Sequence, residues 1–238
     1  MPSLLRKQNV IWKLSVAVYA AALFAISSSA WSTSFTIVDG QFVTSQQTLS
    51  SNETGTIKSG GDLTTSVNAI YANSASNITV LNSGAITTSG TSGYGIYSRS
   101  NSGTNTLTNS GTITTSGSSG YGIYSYDNNG TEAITNSGTI TASGQYGYGI
   151  YSNLNSGTET ITNSGTITAS GSSSRGIRSF ANSGTSTITS SGTITTTGQY
   201  GHGMYSFNQA SGGTSTFTNS GTITTSEQDS MGIYSVSN

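Results

Sequence analysis

From about Ser50 onward the chain places a large apolar residue at three recurring positions, and nearly everything between them is Thr, Ser, Gly or Asn. In one unit these positions are Leu107 in TLTN, Ile113 in TITT and Ile123 in GIYS. The first recurs as Val80, Ile134, Ile161, Ile188 and Phe217, the second as Ile86, Ile140, Ile167, Ile194 and Ile223, and the third as Ile96, Ile150, Ile177, Met204 and Ile233. Each is flanked by polar or small residues, the period-two alternation of a strand with one buried face. No segment has the 3.6-residue period of an amphipathic helix, and Gly with β-branched residues dominates. Three short strands per unit therefore predict one triangular turn of a parallel β-helix.

The unit length is constant. Gly84, Gly111, Gly138, Gly165 and Gly192 recur at an even 27-residue spacing, and the step to Gly221 is longer by two, the addition falling in Asn208 to Gly213 (NQASGG). An insertion confined to a Gly/Ser stretch marks a surface loop. Units of this length bury their apolar face on a neighbour, so stability comes from stacking rather than from one turn. Seven markers (Ile57, Ile86, Ile113, Ile140, Ile167, Ile194, Ile223) predict an all-β fold, a parallel β-helix of about seven turns spanning 50–238, with a lead-in or cap over 31–49.

Parity then assigns the polar residues. Asn82, Asn109, Asn136, Asn163 and Asn219 share the inward side of Leu107 and its equivalents and predict a hydrogen-bonded amide ladder, with Ser190 as the exception. Ser98, Ser125, Ser152, Ser179, Ser206 and Ser235 are expected inside as well. Tyr97, Tyr124, Tyr151, Tyr205 and Tyr234 are expected outside as an exposed aromatic column interrupted by Arg178, and together with Arg178 they form the candidate binding surface.

The first thirty residues have a different character. Arg6, Lys7 and Lys13 precede the apolar run Leu14 to Ile26, and Ser28-Ser29-Ala30 follows, the three-part form of a helical secretory signal peptide over 1–30. Thirteen apolar residues at 1.5 Å each reach about 20 Å, short of the roughly 30 Å hydrocarbon core. Cleavage leaves Lys58, Arg99, Arg175 and Arg178 against eight acidic residues, a net charge of −4, which provides no basic stripe for nucleic acid. The chain has no Cys, so an exported product would hold together by packing and hydrogen bonds alone.

A signal peptide followed by tandem units such as NSGTITTSG from Asn109 and GYGIYS from Gly120 resembles the passenger region of Gram-negative autotransporters. That resemblance implies a right-handed β-helix exported to the cell surface, outer membrane or medium. It also implies an adhesin or autoaggregation stalk whose partners are host or bacterial glycans and proteins or other copies of itself. The family's outer-membrane barrel does not follow Asn238, so membrane attachment would require a C-terminal translocator not in this sequence, and the chain reads as an N-terminal fragment.

The residues offer little chemistry. Glu132 and Glu159 occupy equivalent places two residues before Ile134 and Ile161, which puts their Cα atoms about 4.8 Å apart. The spacing is close to that of the two carboxyls of a retaining glycosidase, but both are expected to face solvent on a ridge of Thr, Ser and Asn. His202 is the only histidine, so no Ser/His/Asp triad with spare parts can be assembled, and Asp39, Asp62, Asp127 and Asp229 fall at unrelated positions rather than in a metal-binding repeat. The expectation is a non-enzyme without cofactor or metal. A second reading is ice binding through outward Thr pairs such as Thr112/Thr114 and Thr139/Thr141, an array similar to the faces of β-helical antifreeze proteins. A polysaccharide-active β-helix enzyme is the weaker alternative.

Overall fold

A computed structural model describes residues 33–207, 210 and 212–236. The segment expected to be a signal peptide, 1–30, lies outside the described residues. Within them the chain is a parallel β-solenoid with three sheets of eight strands each, and every strand between the two edges of its sheet pairs with its counterpart one turn earlier and one turn later. A representative turn consists of the strands Thr104–Asn109, Thr112–Thr115 and Tyr121–Tyr126, one in each sheet. The next turn repeats them as Thr131–Asn136, Thr139–Ala142 and Tyr148–Asn153.

The sequence period becomes a spatial register. Leu107 pairs with Ile134, Ile113 with Ile140 and Ile123 with Ile150. The three apolar columns meet along the axis in one core running from Ile37 to Met204. After the two-residue insertion, Thr214–Asn219 still pairs residue for residue with Thr185–Ser190, so the turn absorbs the whole insertion.

Two departures from expectation appear in the first turns. Pairing begins at Phe35–Ile37, Phe42–Val43 and Gln47–Leu49, ahead of Ser50. Ile57, counted with the TIT column, belongs to the first sheet, where it pairs with Ile37 and Asn82, and Leu63 is the residue in register with Ile86. GTI at Gly55 imitates the later GTI motif, but the early units are shorter, so the same letters land one sheet earlier.

The third sheet departs from strict alternation. In Tyr121–Tyr126 both Gly122 and Ile123 face the interior, and Tyr121 and Tyr124, three positions apart, share the outer side. A Cβ on Gly122 would lie 2.3 Å from Ile140 Cγ2 and 2.6 Å from the Gly149 carbonyl oxygen, so only glycine allows this close approach. Four successive third-sheet strands are each followed directly by a left-handed residue: Ser100, Asp127, Leu154 and Ala181 have φ of 49°, 57°, 57° and 52°. That residue turns the chain toward the next first-sheet strand.

Candidate functional site

The Asn ladder is present from Asn82 to Ser190, but the expected last member, Asn219, donates to the Gly221 carbonyl at 3.0 Å and its Oδ1 has no partner. The Nδ2 groups of Asn82, Asn109 and Asn136 each donate to Oδ1 of the next asparagine at 2.7 Å, and Asn163 donates to Ser190 Oγ at 3.2 Å. All four asparagines are buried. At one end Asn82 Oδ1 has no partner, since its register neighbour there is the apolar Ile57.

A second asparagine column, absent from the sequence reading, runs through Asn101, Asn128, Asn155 and Asn182. Each accepts on Oδ1 the backbone N–H of the residue one turn before, at 2.7–2.8 Å. Their Nδ2 groups donate to the inward serines, for example Asn101 to Ser98 at 2.9 Å and Asn128 to Ser125 at 3.0 Å. The clue lay in the sequence, because these asparagines also recur once per unit.

The glutamates are placed against expectation. Glu132 and Glu159 do not face solvent; each is 2 % exposed, inside the corner lined by the serine and second asparagine columns. The Ser125 and Ser152 hydroxyls donate to them, Asn128 Nδ2 donates to Glu132 at 2.9 Å and Ser186 Oγ to Glu159 at 2.9 Å. The reason is parity: Glu132 lies two residues before the inward Ile134, and the strand extends far enough back to carry it inside. Burial among neutral groups pushes the Glu132 carboxyl up to about 7, with the neighbouring Glu159 adding to the rise and the serine and asparagine donors opposing it. Burial likewise raises Glu159, against the donors Ser152, Ser186 and Ser125. The pair stacks in register, but an interior so enclosed gives a substrate no access to it.

Tyrosines dominate the outer side of the third sheet, but the expected exposed column is largely covered. Tyr124 and Tyr151 are buried at 8 % and 7 % exposure, and Tyr97, Arg178, Tyr205 and Tyr234 are half-buried. A second column, Tyr94, Tyr121 and Tyr148, packs beside the first and covers it. Along each column the rings stack, with centroids 4.9 Å apart for Tyr97–Tyr124 and 4.8 Å for Tyr121–Tyr148. Between columns they meet edge to face, as in Tyr121–Tyr124 at 81°. Both arrangements suit the aromatic quadrupole. The ring faces are therefore used within the ladder, and what it turns outward is ring edges and hydroxyls. Burial raises the phenols, Tyr97 and Tyr151 to about 12 each, with Arg99 and Arg178 respectively working against the rise.

Arg178 interrupts the first column as the register requires, between Tyr151 and Tyr205. Its guanidinium carbon lies 4.8 Å from the Tyr151 centroid and 4.5 Å from that of Phe180, and Nη1 donates to the Tyr148 hydroxyl at 3.1 Å. Arg175 interrupts the second column directly below His202, 4.6 Å from the Tyr205 centroid. His202 is stacked on Tyr205 and Tyr234.

The other two outer faces are threonine arrays. On the second sheet Thr112/Thr114, Thr139/Thr141, Thr166/Thr168 and Thr193/Thr195 form two outward columns in register. The first sheet carries Thr104, Thr106 and Thr108 outward, with equivalents through Thr214, Thr216 and Thr218 and Ala133 as the one non-threonine of these five turns. Among the described residues no three His, Cys, Asp or Glu side chains are grouped to hold a metal ion, and no helix is long and apolar enough to cross a membrane.

Neither the curated proteins nor the solved structures include a match to this chain. Residues 25–198 match the family described as BigA third pectate lyase-like domain, and a domain of that description accords with the parallel solenoid seen here. The chain belongs to the BigA third pectate lyase-like domain family, and its described residues form a parallel β-solenoid.

Proposed function

We propose that this chain is a non-catalytic β-helical module of a Gram-negative bacterium, exported by its signal peptide and displayed at the cell surface, where its outer faces act as an adhesin or autoaggregation stalk. One observation carries the non-catalytic reading: the only acidic pair in register among the described residues, Glu132 and Glu159, is enclosed and hydrogen-bonded inside the solenoid. Its carboxyls accept hydrogen bonds inside the stack instead of facing a substrate. The adhesive reading draws on the outer faces, since in-register repetition displays the same hydroxyl or phenol once per turn. A linear array of this kind suits many weak contacts to a glycan, a protein or a second copy, because linked weak sites gain affinity by avidity. The test displays the full chain on latex beads. Clumping of the beads, or their attachment to host or bacterial cells, is expected; absence of both overturns the adhesive reading. Release of glycan fragments that disappears in Glu159→Gln overturns the non-catalytic one.

A second reading, ice binding, is favoured by the paired threonine columns of the second sheet. Thermal hysteresis abolished by Thr166→Tyr would establish it, and unperturbed freezing excludes it.

A further inference from the structure

The tyrosine ladder is broken at one place, and the break is charged. Arg175 and Arg178 both lie over Tyr148, at 5.6 and 5.2 Å from its centroid, and both over Tyr205, at 4.6 and 5.7 Å. Two guanidiniums thus share the space between the same two rings. Their hydrogen-bond partners are neutral: Arg175 Nη1 donates to the Ser173 carbonyl and Arg178 Nη1 to the Tyr148 hydroxyl. Both Nε groups are buried without a partner, and no carboxylate pairs with either arginine among the described residues. Cation–π attraction stabilises each group, but it supplies no counter-charge. Two adjacent, half-buried cations repel one another, and an anion between them would relieve that repulsion.

His202 completes the site. It sits in register above Arg175, and its Nδ1 accepts the Met231 backbone N–H at 3.0 Å, which places the imidazole proton on Nε2. A third donor is thereby added beside two guanidiniums. Burial holds the His202 pKa down, with Arg175 contributing.

We propose that Arg175, Arg178 and His202 form a binding site for an oxyanion, a carboxylate or sulfate group carried on a polysaccharide. The guanidinium fork matches the paired oxygens of such a group, and the tyrosine hydroxyls and ring edges beside it can meet the polymer backbone. The chain has four basic residues once the signal peptide is removed, and two of them are concentrated here. This inference rests on the outer faces being the working surface, and it assigns the ligand class of one of them.

His202 is the only histidine of the chain and serves as the reporter. The full chain is titrated at fixed ionic strength with inorganic sulfate, with dextran sulfate and with neutral dextran, while the imidazole resonances and their pH midpoint are followed by NMR. Bound anion is expected to raise the His202 pKa by about one unit, and dextran is expected to do nothing. A response to dextran sulfate alone identifies the polymer-borne oxyanion, whereas an equal response to sulfate at the same site identifies a general oxyanion site. The control is the double variant Arg175→Tyr with Arg178→Tyr, which restores the residues found at Tyr148 and Tyr151 and so continues the ladder. It should fold and lose the response. No shift with either anion, or an equal shift in the double variant, overturns the site. The histidine titration and bead adhesion are independent measurements, so failure of one leaves the other reading standing.

Discussion

Glu132 carries a local electrostatic cost in one buried carboxyl. In the folded chain it titrates near 7, against an ordinary value of 4.5, so the folded state binds the proton more tightly than the unfolded state. The contribution of the neutral carboxyl is therefore fully present below about pH 4.5 and is lost as pH rises through about 7. At about 1.4 kcal/mol per unit the loss is about 3 kcal/mol. Denaturant unfolding at pH 4.5 and pH 8 should show this decline, and the double variant Glu132→Gln with Glu159→Gln should flatten it. Leu154 presents a smaller test. It is 44 % exposed and sits in the left-handed region at φ 57°, where a γ-branched side chain is strained and asparagine is tolerated. Leu154→Asn is expected to raise stability by about 1 kcal/mol in the same assay.

At the scale of elements, the polar columns hold the turns in register as firmly as the isoleucines do. Asn136 accepts from Asn109 and donates to Asn163. Asn136→Ala leaves the buried Asn163 Oδ1 without a partner and takes from Asn109 Nδ2 its shortest hydrogen bond, and should cost about 2–3 kcal/mol. Neighbouring Ser137, exposed at the turn, should tolerate alanine within about 0.5 kcal/mol. Thermal melts of the two variants decide this. How legible these elements were in the sequence depended on side-chain chemistry. The first Asn ladder was readable because each member follows an inward Leu, Ile or Val by two residues. The glutamates stood in an equally clear parity relation, yet a charged side chain argues for solvent unless the donors around it are known. Those donors come from other strands (Ser125, Ser152, Ser186) and from a turn (Asn128), and one corner of the solenoid brings them together.

For the whole molecule, stability is expected to follow nearest-neighbour stacking, so the number of turns should matter less than their alignment. Deleting Gly138 to Ser164, one whole repeat unit, joins Ser137 to Gly165 and keeps every column in register. A deletion that stops one residue short, at Asn163, shifts each following strand by one and turns its isoleucines outward. Circular dichroism should show a cooperative β-rich melt for the first variant and loss of structure for the second. Ile140→Asp, which puts an unpaired carboxylate into the dry core, should cost several kcal/mol and melt adjacent turns, while Thr139→Ser should be nearly silent.

The sequence by itself determined the repeat period, the three strands of each turn and the inward isoleucines, because all three are properties of spacing and alternation along the chain. It also placed Arg178 within the tyrosine column, since register carries one turn onto the next. Only the tertiary structure decided how deeply each outer side chain is covered. Gly122 and Ile123 face inward together, and that local break in alternation brings Tyr121 onto the face of Tyr124, so that two columns interlock and bury a surface that parity alone would expose. The corner enclosing Glu132 was settled at the same level, since separate strands supply its walls. Burial depends on neighbours across turns and corners, and a linear pattern records only which side of its own strand a residue takes.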